Sequence, residues 1–197
     1  MILKRSFFQR ATLSVAKDLL GKVLVHNSVL GVTSGRIVET EAYLGPEDQA
    51  AHSSGGKRTA RNEVMFQEKG YAYVYFIYGL YHCFNLTTGD VFGKPEAVLI
   101  RALQPLEGLD LMFKRRPKIR QVVNLANGPS KLCLAMDITK KHNRHDLTVS
   151  PLFLQDAPPI QDDDIIQKTR IGIDYSGEWK NKPWRFYIKE NKYISKK

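Results

Sequence analysis

Two glutamates spaced two apart, Glu39 and Glu41, sit in an otherwise apolar stretch, Arg36-Ile37-Val38-Glu39-Thr40-Glu41-Ala42-Tyr43. The densest aromatic run of the chain follows, Tyr71-Ala72-Tyr73-Val74-Tyr75-Phe76-Ile77-Tyr78-Gly79-Leu80-Tyr81. A polar loop between the two carries His52. A carboxylate can take a proton from water, and flat aromatic faces can hold a purine, so together they suit hydrolysis at a bound base. In a strand the two glutamates project from one face roughly 7 Å apart. Ile37 and Tyr43 are expected on that face, Val38 and Ala42 on the other. Strand geometry does not choose between the two acids. The plainer reading is a pair of exposed glutamates on an edge strand.

The other candidates also have two readings. Tyr75 falls in a strand body and can wall a pocket. Tyr78, beside Gly79 at a hairpin tip, can act as a wedge between base pairs, as in minor-groove proteins that help a nucleotide leave the stack. A tyrosine-rich core hairpin is the alternative. Arg101 ends an apolar strand, where its guanidinium needs an acid, a phosphate or solvent, and Glu41 is a candidate partner. Asn85 needs polar partners too, with backbone pairing as the default. His52 alone in a Gly/Ser-rich loop reads as a surface or hydrogen-bonding residue.

These residues need elements to position them. Periodicity predicts a helix over Thr12–Leu20, with Thr12 as cap and Gly21 as stop. Strands are predicted over Lys22–His26, Gly35–Tyr43, Tyr71–Ile77, Leu80–Leu86, Ala97–Leu103 and Trp184–Ile188. Leu44–Asn62 and Pro151–Asp164 read as loops. Pro129–Met136 reads as a helix with Pro in its first turn. Strands and helices do not alternate regularly, so the expected class is α+β with a largely antiparallel sheet, in one domain over residues 1–197.

Lysines and arginines outnumber acids 30 to 20, a formal charge of +10, which favours a polyanionic partner. Basic stretches occur at Lys57-Arg58 with Arg61, at Lys114 to Arg120 and at Lys140 to Arg144. Asn127-Gly128-Pro129-Ser130-Lys131 resembles a phosphate-holding helix start without being a P-loop. Asp162-Asp163-Asp164 reads as a helix start or an exposed acidic turn. The two cysteines, Cys83 and Cys133, form neither a disulfide framework nor, with the histidines, a zinc cluster. No apolar run spans a bilayer and the first residues lack the core of a signal peptide, so no membrane is expected and the default location is the cytoplasm, with the DNA.

Taken in order, these residues resemble the alkyladenine (3-methyladenine) DNA glycosylase family. The resemblance runs from Glu39 to Asp48 and Ala51-His52-Ser53, through Tyr73-Val74-Tyr75, Ile77-Tyr78-Gly79 and Asn85, to Arg101-Ala102-Leu103 with Pro105 to Gly108. It continues at Gly128 to Leu132, Gly177-Glu178-Trp179 and Arg185-Phe186-Tyr187. It implies a single mixed domain with a curved antiparallel sheet and a protruding β-hairpin. It also implies base-excision repair of alkylated or deaminated purines: a monomeric, monofunctional, bacterial-type enzyme without metal or cofactor flips the base from duplex DNA and leaves an abasic site. It implies Glu41 as general base, Arg101 as its companion, Tyr43, His52, Tyr75 and Asn85 as the base pocket, and Tyr78 as the intercalating residue. Lys57, Arg58, Arg61, Ser130 and Lys131 are the candidate DNA-backbone contacts. Thr87–Pro95 is longer than the mammalian pattern, Phe113–Asn124 matches none of it, and His82 and Phe84 differ from it. The competing readings are an RNA N-glycosidase and a non-catalytic nucleic-acid-binding module on the same fold.

Overall fold

The computed structural model describes residues 1–77 and 79–196. Its strands are β1 (Val23–Ser28), β2 (Gly31–Tyr43), β3 (Ala72–Ile77), β4 (Tyr81–Thr88), β5 (Glu96–Glu107), β6 (Leu152–Gln155), β7 (Ile165–Lys168) and β8 (Arg185–Ile188). All join one curled antiparallel sheet in the order β3-β4-β5-β2-β1-β6. β8 continues along β2 beyond β1, and β7 pairs with β8. The helices are α1 (Arg5–Phe8), α2 (Thr12–Asp18), α3 (Leu109–Arg115) and α4 (Pro129–Met136). The mixed class with an antiparallel sheet is as the sequence predicts.

Alternation along the edge hairpin divides its two faces. Ala72, Val74, Phe84 and Leu86 enter the main core, together with Val98 and Ile100 of β5 and Leu132, Cys133 and Met136 of α4. Tyr73, Tyr75, Cys83 and Asn85 face the other way, into a cavity. The hairpin turns between Ile77 and Tyr81, and Gly79 takes a φ of 67° that glycine adopts without steric cost. Tyr78 lies outside the described residues.

Four expectations are corrected. β2 is internal to the sheet, so the edge-strand reading of its glutamates fails: Glu39 and Glu41 are both fully buried. Ile37 does not share their face. It packs in the main core with Ala42, while Val38 packs with Ala102, Tyr187 and Ile194. The cause is a pair of facing bulges: Ile37 pairs with Leu103, Glu39 with Ala102 and Thr40 with Ile100, leaving Val38 and Arg101 unpaired. Thr12 starts α2 without capping it, because its hydroxyl donates to Glu96 Oε2 at 2.5 Å instead. Pro151–Asp164 is not all loop. Its apolar Leu152-Phe153-Leu154 forms most of β6, buried against β1.

Candidate active site

The cavity occupies about 310 Å³ between the inner face of the β3–β4 hairpin, β5, the end of β2 and the 171–175 segment. Period-two alternation in β5 aims Ala97, Leu99 and Arg101 into it and sends Val98 and Ile100 to the core. Of the residues singled out from sequence, Tyr43, His52, Tyr75, Asn85 and Arg101 line it.

Glu41 stands behind that lining, bonded to three of its members. Its Oε2 accepts from the Tyr43 hydroxyl at 2.9 Å and from Arg101 Nη1 at 3.1 Å. Its Oε1 accepts from the backbone amide of Ile171 at 2.7 Å. A carboxylate offers roughly four acceptor sites, so one remains on Oε1. Burial and the Glu41 charge together push the Tyr43 phenol well above its ordinary pKa, which keeps it a donor to Oε2. Burial alone would lower the Arg101 pKa, but Glu41 and then Glu39 outweigh it and hold the guanidinium charged.

Glu39 is differently placed. Its Oε1 accepts from Arg185 Nη1 at 2.9 Å, and its Oε2 accepts from the backbone amide of Ser195 at 2.6 Å. Arg185 also donates to the carbonyls of Thr169 and Lys196. Arg101 Nε lies 3.5 Å from Glu39 Oε1, beyond good hydrogen-bond geometry, and has no hydrogen-bond partner among the described residues.

The aromatic wall is cross-braced. His52 Nδ1 lies 2.8 Å from the Tyr73 hydroxyl, and its ring meets Tyr75 edge-on at 4.6 Å. Desolvation, then the Arg61 charge, pulls the His52 pKa down to about 4, so the ring is neutral at physiological pH. The residue as a whole is exposed at the cavity mouth. The close packing of the ring against two tyrosines sets the direction of that shift, and solvent at its outer edge tempers the size. Burial likewise raises Tyr73 to about 12. Asn85 Nδ2 donates to the Tyr73 carbonyl at 3.1 Å, the default backbone pairing, while Asn85 still lines the cavity.

The candidate backbone contacts spread out. Arg61 stacks over the Tyr75 ring, 4.5 Å from its centroid. Lys57 is exposed, and Arg58 pairs with Glu63. Lys131 Nζ donates to Asn127 Oδ1 at 2.9 Å, and Ser130 is half-buried beside Cys83. Sequence reasoning missed Ile171, whose amide holds Glu41, and Arg170. Arg170 is buried in a bidentate pair with Asp48 and packs over Tyr43, 4.7 Å from the ring centroid. It also missed Tyr73 as a wall residue, although alternation with Tyr75 places the two on one face.

The family model for "Methylpurine-DNA glycosylase (MPG)" matches residues 6–192. A protein of Clostridium botulinum is 50% identical over 205 residues, covering 100% of both chains. One of Methanocella arvoryzae is 50% identical over 197 residues, covering 100% of this chain and 96% of its own. One of Desulfitobacterium hafniense is 48% identical over 202 residues, covering 99% and 98%. All three carry the name "Putative 3-methyladenine DNA glycosylase". An aromatic cavity backed by a buried carboxylate, a basic chain and a match over almost its full length agree: the chain belongs to the methylpurine-DNA glycosylase family.

Proposed function

We propose that Glu41 is the general base, and Arg101 its orienting partner, in hydrolytic release of a damaged purine from duplex DNA. The protein is a DNA glycosylase of base-excision repair, a hydrolase of N-glycosyl bonds. In the proposed reaction the bond between the base nitrogen and C1′ breaks, its electrons leave with the base, and positive charge builds on the sugar. Water oxygen bonds to C1′, and the water proton passes to Glu41. The carboxylate also stabilises the sugar cation electrostatically. Alkylation at a ring nitrogen makes the base a good leaving group.

The observation that carries this reading is the clamp on Glu41. Three donors fix the carboxylate, all three belong to residues lining the cavity, and one acceptor site is left for water. Tyr43, His52, Tyr75 and Asn85 are proposed to wall the base, with the tyrosine faces favouring electron-poor rings. Tyr78 is proposed as the wedge from its place beside Gly79 in the sequence. Lys57, Arg58, Arg61, Ser130 and Lys131 are proposed to meet the DNA backbone, and the enzyme to act as a monomer. Among the described residues no helix is long and apolar enough to cross a membrane.

Duplexes carrying a single 3-methyladenine, 7-methylguanine, hypoxanthine or ethenoadenine, assayed for abasic-site formation beside matched RNA and undamaged DNA, test the reading. Release is expected from at least one lesion duplex and from neither control. No release from any lesion, or equal release from RNA, would reject it.

A further inference from the structure

We propose that a cleft on the far side of the β3–β4 hairpin binds a phosphodiester of the duplex whose damaged base enters the cavity. This rests on the DNA glycosylase reading. Along β4, Cys83 and Asn85 turn into the base cavity, while His82 turns to the opposite face. There it borders a second cleft of about 700 Å³, floored by the end of β1 and by the turn after α4. The two recesses are thus separated by the hairpin itself. Near its tip the hairpin exposes apolar surface on Phe76, Leu80 and Tyr81. Phe76 packs on His82, with ring centroids 4.9 Å apart, and joins the tip to the cleft wall. A hairpin that enters a duplex beside a flipped nucleotide leaves the continuing strand on its other side, where this cleft lies.

The lining is built for an anion. Lys140 and Lys141 are exposed and make no ion pair among the described residues. Their turn is held by a reciprocal cap: the Thr139 amide donates to His142 Nδ1 at 3.1 Å, and Thr139 Oγ1 accepts from the Lys141 amide at 3.4 Å. That bond fixes the His142 tautomer. With Nδ1 accepting, the neutral ring carries its proton on Nε2 and is a donor without a positive charge. His26 is the converse. Its Nδ1 lies 2.7 Å from the Met136 carbonyl and must donate there, and its ring meets His142 edge-on at 4.7 Å. Asp137 is the one acid lining the cleft among the described residues. Two lysines against one aspartate leave a single net positive charge when the histidines are neutral, which matches the single negative charge of a phosphodiester.

The test compares wild type with the double variant Lys140→Ala/Lys141→Ala, whose exposed positions leave the core untouched. Affinity for an undamaged duplex is measured against salt. Each neutralised phosphate contributes about 0.9 to the slope of log K on log salt. The variant is expected to lose about one unit of slope and roughly tenfold in affinity at low salt. In parallel, the His142 ring resonances of the wild-type protein are followed on adding duplex or inorganic phosphate, and are expected to move with duplex at concentrations where phosphate has no effect. An unchanged slope overturns the proposal. So does a His142 response to inorganic phosphate equal to that to duplex, which would make the cleft a site for free phosphate. A wild-type protein that neither binds duplex nor releases a base would instead defeat the glycosylase reading itself.

Discussion

Glu39 and Glu41 are the same residue type, two positions apart on one strand, both fully buried and both beside Arg101. They differ in what lies beyond them. Glu39 faces inward to Arg185 and to the Ser195 amide, all held by backbone and buried side chains. Glu41 faces Tyr43, Arg101 and Ile171, which are themselves the wall of the cavity. One carboxylate closes a charge network and the other is held by the wall of the cavity. A buried acid is therefore read by its partners' surroundings more than by its own burial.

Removing each charge in turn should separate the two roles. Glu41→Gln is expected to cut single-turnover base release by about a thousandfold, from loss of both the base and the electrostatic stabilisation. It also takes from buried Arg101 the carboxylate to which it is hydrogen-bonded, so some stability is lost as well, and the rate is what sets this variant apart. A rate near wild type would make the two glutamates equivalent and break the comparison. Glu39→Gln is expected to cost stability first, on the order of 3 kcal/mol, because it leaves the buried Arg185 guanidinium without its carboxylate partner. Chemical denaturation measures this, and the folded variant should retain most of its single-turnover rate. If the loss appears in the rate with stability intact, Glu39 belongs to the chemistry.

Smaller changes sharpen the contrast. Tyr43→Phe deletes one of the donors to Glu41 while leaving the ring, and should slow release by about five- to tenfold, the worth of one hydrogen bond. An equal effect on thermal stability and none on rate would place Tyr43 with the structural network. The smallest effect is that of His52. Its folded-state pKa, about 4, lies below the ordinary 6.5, so the unfolded chain takes up the proton first. Any stability it contributes is complete above about pH 6.5 and is lost as pH falls toward 4. A histidine titration by NMR should find its midpoint well below 6.5, with no His52 step in the rate between pH 6 and 8. A midpoint at or above 6.5 would mean that the tyrosine wall does not enclose the ring.

How much of this the sequence disclosed follows from the range of each interaction. α4 lies where Pro129 and its apolar period place it, and the aromatic hairpin where alternation does, because both signals are local. The ion pair of Glu41 with Arg101 was legible as an unpaired charge in need of an acid. The burial of β2 was not legible, since it depends on β5, β1 and β8 arriving on either side. Nor were Ile171, Arg170, Arg185 and Ser195. They reach the site from more than 100 residues away along the chain, and the amides of Ile171 and Ser195 leave no trace in side-chain type. The face of Ile37 was misread because a bulge shifts the phase of a strand without any marker such as glycine.

Those facing bulges have a consequence for how such a site can vary. Between Ile37 and Thr40, β2 and β5 each carry one unpaired residue, Val38 and Arg101, and the pairing of Ile37 with Leu103 resumes in the same register at Thr40 with Ile100. The two irregularities cancel. A substitution at either position leaves that balance intact, but a one-residue deletion in one strand shifts every later pair and turns buried side chains outward. The neighbourhood of the proposed base therefore behaves like a reading frame shared by two strands: it accepts changes of letter, and a loss in one line is restored only by a matching loss in the other.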